Sequence, residues 1–165
     1  LSGHYELWKD GWLHRDVSIN NILLMETPQE HKLGHFFSGF ACSWDKILSE
    51  GMLIDGDHAV KVNPSERVQA SLGLAGTLPF ISYHLLENWG GADEHTVADD
   101  LESFGWVLVI SLLQISQRLG PFTQKESRFF KAIHNEEDPE SISCRRSHFA
   151  QALLNQSTLP NKNNL

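Results

Sequence analysis

The amino-acid sequence predicts an α+β fold that is mainly α, with short β-hairpins first and a helical bundle after them. Brief apolar runs bounded by Gly, Asp and Asn occupy the first third of the chain, and such runs are typical of strands. From Asp99 onward the apolar stretches are longer and have helical periodicity. We interpret residues 1–154 as one domain and residues 155–165, which are polar and rich in Asn, as a disordered tail.

Composition narrows the class of protein. The 165 residues carry a formal net charge of -8, which would repel phosphates and argues against nucleic-acid binding. Cys42 and Cys144 lie far apart, so we expect neither a disulfide framework nor a zinc site, and we expect an intracellular location in the cytoplasm or nucleus. The apolar run Val107–Leu113 is too short to span a membrane, so we expect no membrane partner.

The first element is the end of a helix within Leu1–Trp12, which Gly11 should terminate. It leads into Leu13–Leu24, where two apolar runs that predict strands enclose an acidic residue and an amide five positions apart. The Asp16 carboxylate can accept a proton from a hydroxyl, and the Asn21 amide oxygen can ligate a hard cation. We expect the two side chains to converge, although a simple capped turn would also fit.

Residues 25–50 are rich in aromatic side chains, and we interpret them as an insertion between two strands that packs on the domain surface or on a partner. His31 and His35 would share a face if this segment were helical, and Cys42 follows them. A metal site is conceivable there, but no confirming ligand spacing is present.

The next strand runs through Gly51–Ile54 and ends at Asp55, which Gly56 follows at once. A carboxylate fixed at the end of a strand can bind a divalent cation, although an Asp-Gly turn is the simpler alternative. Residues 58–75 are polar and irregular, which predicts a mobile segment in which Ser65 or Ser71 could accept a phosphate.

The remaining elements are helical. Acidic residues at Asp99 and Asp100 precede a long apolar run to Leu113, so we expect one of them to be the N-cap of a buried helix. Shorter helices are predicted at Ser127–His134 and His148–Leu154, and the acidic stretch between them, which contains Pro139, is predicted to be a loop over residues 135–143.

Four of these segments, in this order, resemble the catalytic elements of protein kinases. His14–Asn21 matches the loop His-Arg-Asp-x-x-x-x-Asn, and Asp55 stands at the Asp of Asp-Phe-Gly. Gly76–Phe80 is similar to the segment on which the substrate peptide docks. Asp100–Phe104 resembles the start of the helix at the centre of the large lobe.

The resemblance is to the fungal-type protein kinases in particular. Ser18 stands where most serine/threonine kinases carry a Lys, and the helix opens with Asp100-Leu101-Glu102-Ser103-Phe104. The similarity covers roughly residues 4–115. It implies a protein-kinase-like C-terminal lobe that transfers the γ-phosphate of ATP to a serine or threonine of a protein substrate.

The resemblance also implies roles for the catalytic loop. Asp16 would orient and deprotonate the acceptor hydroxyl, and Arg15, which follows His14 in the motif, would pair with a phosphorylated residue of the mobile segment. Thr77 would donate a hydrogen bond to Asp16. Asp100 would accept hydrogen bonds from the loop backbone.

For the cofactors, ATP and Mg²⁺, the resemblance implies that Asn21 and Asp55 hold the metal. Ser18 would take the position of a phosphate-binding Lys without supplying its charge.

Some features depart from the kinase pattern. Gly56 replaces the Phe of Asp-Phe-Gly, and Ser82–His84 replaces Ala-Pro-Glu, whose Glu normally anchors the segment; Glu87 is out of register for this role. The Gly-rich loop, strand Lys and helix Glu of a kinase would precede His14 by more residues than this sequence has there. We therefore expect the N-terminal lobe to be absent, a partner lobe or upstream segment to be needed, and the isolated fragment to be inactive.

Two alternatives stay open. A pseudokinase or interaction module is favoured by Gly56, Ser18 and the missing lobe. A small-molecule phosphotransferase of the aminoglycoside or choline type shares an Asp-x-x-x-x-Asn loop and an Ile-Asp-x-Asp segment. The Arg15 position, the Gly-Thr segment and the Asp100 helix favour a protein kinase over this second alternative.

Overall fold

The computed structural model describes residues 2–32, 46–62, 75–89, 91, 94–134 and 138–157. Within these ranges the chain forms five α-helices and two antiparallel strand pairs, so the predicted mainly helical α+β class is confirmed at that level. The elements in chain order are α1 (Ser2–Lys9), β1 (Trp12–Leu13), β2 (Ile22–Lys32), β3 (Lys46–Leu53), β4 (Val60–Lys61), α2 (Tyr83–Glu87), α3 (Val97–Leu119), α4 (Gln124–His134) and α5 (Pro139–Ser157).

The predicted first helix and its glycine stop are confirmed. Helix α1 ends at Lys9, and Gly11 adopts a φ of +84°, a left-handed conformation that costs glycine little, so the chain can turn there into β1. Strand β1 pairs with β4 through Leu13 opposite Val60. Val60 and Lys61 were expected to be irregular, but they form a strand because they take up the backbone hydrogen bonds of β1.

Strands β2 and β3 form one hairpin, with Ile22 opposite Leu53 and Lys32 opposite Lys46. Both ends of the predicted insertion are therefore continuations of the strands. His31 lies in β2, so the helical face that it was to share with His35 is wrong. His35, Cys42, Ser65 and Ser71 lie outside the described residues.

Helix α3 begins one turn earlier than predicted. Its N-cap is Thr96, and the prediction of Asp99 or Asp100 as the cap is wrong. Asp99 reaches back instead, because its Oδ2 accepts hydrogen bonds from the Thr96 N–H and hydroxyl at 2.7 Å each. The helix continues to Leu119, six residues beyond the predicted apolar run, and Gly120 is its C-cap.

The C-terminal helices are also longer than predicted. Helix α5 begins at Pro139, a residue that suits the first turn of a helix because it has no N–H to leave unpaired. The loop predicted for residues 135–143 is wrong over its second half. Helix α5 ends at Ser157, so residues 155–157 of the predicted tail are helical, and residues 158–165 lie outside the described part.

The segment that leads into α2 contributes to two apolar clusters. Ile81 belongs to the first cluster and Phe80 to the second. This segment is therefore held by the core although it has little regular structure. In the described part of the chain, no helix is both long and apolar enough to cross a membrane. The clusters are Ile81, Leu85, Leu86 and Ile142, and Phe80, Ile110 and Ile133.

Candidate active site

The site is built around the carboxylate of Asp16. Its Oδ1 accepts a hydrogen bond from the Thr77 hydroxyl at 2.8 Å, and its Oδ2 accepts one from the Asn21 amide Nδ2–H at 3.0 Å. Thr77 lies 61 positions further along the chain, so the fold brings the two together as the sequence analysis predicted. The two donors are neutral, and they orient the carboxylate without forming an ion pair with it.

Asn21 is held from two sides. Its Nδ2 also donates to the Asp16 carbonyl at 2.9 Å, so both amide N–H bonds face Asp16 and the amide oxygen faces the other way. Its own carbonyl accepts the N–H of Ile54 at 2.9 Å. Asn21 is buried, and its backbone carbonyl connects the loop to the residue that directly precedes Asp55.

Asp55 lies just beyond the end of β3, where it is exposed. Its φ is +62°, a left-handed conformation that costs a non-glycine residue about 1–2 kcal/mol. The hydrogen bond between Ile54 and Asn21 places the Asp55 backbone beside the loop. Strain at an acidic residue next to a polar site is typical of functional positions.

His14 makes a second connection between the loop and this strand end. Its Nε2 lies 3.0 Å from the Ile54 carbonyl oxygen, and its Nδ1 lies 3.4 Å from the Asp16 backbone nitrogen. Because a carbonyl can only accept, the ring proton is on Nε2, and Nδ1 accepts from the Asp16 N–H. His14 is buried, and its ring holds the backbone at Ile54 and at Asp16.

Asp100 anchors the loop by accepting hydrogen bonds from its backbone, and this confirms the predicted contact. Its carboxylate is fully buried in the first turn of α3, and it accepts the backbone N–H of His14 at 2.8 Å and of Arg15 at 3.0 Å. Sequence reasoning missed its two other partners. The Nε2 atoms of His4 and His95 each lie 2.9 Å from one carboxylate oxygen.

These contacts determine the charge state of Asp100. Burial by itself would raise the pKa of Asp100, but hydrogen bonds from His4 and His95, the charge that His95 can carry and the His14 N–H together lower it well below its ordinary range. Asp100 is thus an anion. Burial also lowers the pKa of the Arg15 guanidinium, and the nearby Asp100 charge opposes that shift.

Gly76 explains how Thr77 reaches Asp16. Its φ is +127°, and a Cβ atom at this position would lie 2.9 Å from Ile81 Cγ1 and 3.1 Å from the Arg15 carbonyl oxygen. Only glycine fits both the conformation and the space. The segment can therefore pass directly over the loop.

Ser18 has a different environment from the other predicted site residues. It is fully buried, and its hydroxyl has no hydrogen-bond partner in the described part of the chain. Its contact with the site is through the backbone, because the Ser18 carbonyl accepts the Asn21 N–H at 3.1 Å.

Arg146, on α5, was not singled out from the sequence. Its guanidinium is buried, donates to the carbonyls of Pro79 (2.7 Å) and Ile81, and lies 4.0 Å from the centre of the Trp106 ring. Burial lowers its pKa to about 10, against the opposing charge of Glu102, so it stays cationic at neutral pH. It fixes the segment that follows Thr77.

Asp16 supplies a fixed carboxylate. The Asn21 amide and the Asp55 carboxylate carry oxygen atoms of the kind that ligate a hard cation. Asn21 and Thr77 each donate to Asp16, and His14 and Asp100 hold the loop backbone from His14 to Asp16. Asp55 is adjacent through Ile54. Glu87 contributes nothing to this network, because it accepts a hydrogen bond from the Tyr83 hydroxyl on the surface.

Comparison with known proteins agrees with the order of these elements. The family model described as fungal protein kinase matches residues 1–112, which include the loop, Asp55, the Gly-Thr segment and most of α3. No curated protein and no solved structure matches the chain. Since the match covers more than half of the 165 residues, this chain belongs to the fungal protein kinase family.

Proposed function

We propose that residues 1–154 are the C-terminal lobe of a protein kinase that transfers the γ-phosphate of ATP to a serine or threonine hydroxyl of a protein. The observation that carries this proposal is the Asp16 carboxylate, oriented by Asn21 on one oxygen and by Thr77 on the other. Phosphoryl transfer depends mainly on positioning and on electrostatic stabilisation, and both require such a fixed group.

Asp16 accepts the proton of the acceptor hydroxyl while the hydroxyl oxygen bonds to the γ-phosphorus. The bond between the γ-phosphorus and the bridging oxygen of the β-phosphate breaks, and ADP is released. Thr77 lies next to the same carboxylate and would contact a small aliphatic hydroxyl that approaches Asp16. Its position supports serine and threonine, rather than tyrosine, as acceptors. Arg15 would pair with a phosphorylated residue of the segment 58–75.

The donor set fits Mg²⁺. This ion prefers oxygen ligands, and the Asn21 amide oxygen faces away from Asp16, while Asp55 is exposed and directly follows Ile54, whose N–H donates to the Asn21 carbonyl. We assign the metal to these two residues. When bound, Mg²⁺ would neutralise charge on the phosphate oxygens of ATP.

The 165 residues by themselves should transfer phosphate very slowly. The Gly-rich loop and strand Lys that cover and orient the phosphates in kinases are not among them, and Ser18 supplies no cation in their place. Ser18, which supplies no cation, and Gly56 in the Phe position favour a pseudokinase or interaction module as the second candidate function.

The test is a phosphotransfer assay with Mg-ATP and, in separate reactions, a generic protein substrate, an aminoglycoside and choline. The chain alone, and a polypeptide extended upstream of Leu1, would each be compared with Asp16→Asn, and the product analysed for phosphoserine, phosphothreonine and phosphotyrosine. We expect transfer to serine or threonine only in the extended polypeptide, and its loss in Asp16→Asn. No transfer in either polypeptide would favour the interaction module, and transfer only to small aminoglycoside or choline hydroxyls would favour the small-molecule phosphotransferase.

A further inference from the structure

We propose that His4 and His95 are positioning residues that clamp the Asp100 carboxylate from opposite sides and thereby hold the backbone of the catalytic loop at Arg15. The proposal rests on the proposed function in one respect, since the position of the loop matters for catalysis only if Asp16 acts on the substrate. The clamp itself involves residues of this chain alone.

The carboxylate has a symmetric set of partners. Oδ2 accepts from the His4 imidazole (2.9 Å) and the His14 N–H (2.8 Å), and Oδ1 accepts from the His95 imidazole (2.9 Å) and the Arg15 N–H (3.0 Å). Each oxygen thus receives one backbone donor and one imidazole donor. Four hydrogen bonds are about the capacity of a carboxylate, so this group is saturated and cannot turn without losing a partner.

The imidazole protons are determined by the same geometry. A carboxylate anion can only accept hydrogen bonds, so both Nε2 atoms must carry a proton. His4 is 3% exposed and packs edge-on against Phe104, with ring centres 5.3 Å apart. The His95 side chain is 9% exposed. Both rings are therefore almost wholly enclosed by the fold.

The clamp joins α1 to the start of α3. His4 lies on α1, His95 directly precedes the Thr96 N-cap of α3, and Asp100 lies in the first turn of that helix. The two rings are 91 positions apart in the sequence, so they meet only in the folded chain.

What the clamp stabilises is an unfavourable backbone conformation. Arg15 has a φ of +68°, which is unfavourable for a residue with a side chain and persists only where the surroundings fix it. The Arg15 N–H donates to the oxygen that His95 also contacts, and the His14 N–H donates to the oxygen that His4 contacts. Asp16 follows directly, so the direction of its side chain depends on this turn.

The test compares backbone amide exchange in leucine and glutamine variants of the two histidines. His4→Leu and His95→Leu remove the donor, whereas His4→Gln and His95→Gln retain an N–H at a similar reach. His148→Leu changes an exposed histidine on α5 and is the matched control. Hydrogen exchange of the His14 and Arg15 amides is read against that of Ile110, which is buried in α3 and reports global opening.

We expect each leucine variant to speed exchange at His14 and Arg15 by about tenfold more than at Ile110. The glutamine variants and the control should keep the rates of the unmodified chain. Equal acceleration at all three amides, or none, would overturn the proposal, because the histidines would then support the fold only in general.

A second measurement decides the matter if a leucine variant does not fold. Long-range ¹⁵N–¹H spectra of the unmodified chain show which ring nitrogen carries the proton. We expect both His4 and His95 to be protonated at Nε2, with slow exchange against water, and finding either Nε2 unprotonated would overturn the clamp. No nucleotide or metal enters either measurement, so a confirmed clamp in a chain without phosphotransfer would contradict only the proposed function.

Discussion

Asp100 and Arg146 are both buried ions that bind backbone groups, but they differ in how completely their charged groups are hydrogen-bonded. Asp100 accepts two backbone N–H bonds and two imidazole N–H bonds, so its charge is fully hydrogen-bonded. Arg146 donates to two carbonyls and stacks on Trp106, but its Nε has no hydrogen-bond partner in the described part of the chain. The anion fixes the catalytic loop, and the cation fixes the segment after Thr77.

The difference shows in the pKa values. Hydrogen bonds overcome the effect of burial at Asp100 and lower its pKa, which means that the folded state favours its charge. At Arg146 burial prevails and lowers the pKa to about 10, which means that the folded state disfavours its charge. We conclude that Asp100 contributes net stability as an ion, whereas Arg146 is kept for the carbonyls it satisfies.

The largest expected effect is that of Asp100→Asn. The variant places an amide against four donors in a site without solvent, so we expect the free energy of unfolding to fall by about 3–5 kcal/mol. Urea denaturation measures this change, and Asp57→Asn, at an exposed position, should stay within about 0.5 kcal/mol of the unmodified chain. An unchanged unfolding midpoint in Asp100→Asn would show that the buried anion does not hold the loop.

Arg146→Met should cost less, and so sharpens the contrast between the two ions. Methionine fills similar space without a charge to desolvate, and the loss comes from the unsatisfied carbonyls of Pro79 and Ile81 and from the guanidinium contact with Trp106, about 1–3 kcal/mol in total. The same denaturation experiment applies, with Arg118→Met on the exposed end of α3 as control. A loss as large as that of Asp100→Asn would contradict the distinction drawn above.

Gly76→Ala tests the close approach between the loop at Arg15 and the segment that begins at Gly76. The added methyl would clash with Ile81 and the Arg15 carbonyl at a φ that alanine avoids, so we expect destabilisation by about 1–2 kcal/mol. Gly105→Ala on α3 is the matched control, since a Cβ there meets nothing within 4 Å and should stabilise the helix by up to about 1 kcal/mol. If both substitutions had the same sign, the close approach at Gly76 would be unimportant.

Acidification gives a smaller but directional effect. The pKa of Asp100 is below its ordinary value of 3.8, so its contribution to stability is present above that value and is lost as the pH falls through the folded pKa. The loss of stability between pH 7 and pH 3 should therefore be smaller in Asp100→Asn than in the unmodified chain. Equal slopes in urea denaturation across this range would mean that other carboxylates account for the acid sensitivity.

The order of motifs predicted the loop, its anchor and the contact between Thr77 and Asp16, because each of these residues has a fixed place in a recognisable pattern. His4, His95 and Arg146 belong to no such pattern. Each is a single residue that acquires its role from partners 5 to 96 positions away. The one available signal was Asp100 itself, since a carboxylate at the start of an apolar helix must find donors if it is buried.

Element boundaries were predicted less well than element types. Thr96 caps α3 because its backbone and hydroxyl can be paired by Asp99, a reciprocal arrangement that the acidic pair alone did not indicate. Strand β4 lies in the stretch after Asp55 that was predicted to be irregular, and it forms there because it pairs with β1. In both cases tertiary contacts decided what local sequence left open.

The central claim is that Asn21 and Asp55 hold a metal next to Asp16. Mn²⁺ can replace Mg²⁺ and broadens the NMR signals of nearby amides, so adding small amounts of Mn-ATP to the ¹⁵N-labelled chain tests the claim directly. We predict that the amides of Asn21 and Asp55 broaden first, that Asp55→Asn abolishes this, and that Asp10→Asn, an exposed change of the same charge, does not. Broadening centred elsewhere, or undiminished in Asp55→Asn, would contradict the assignment of this site.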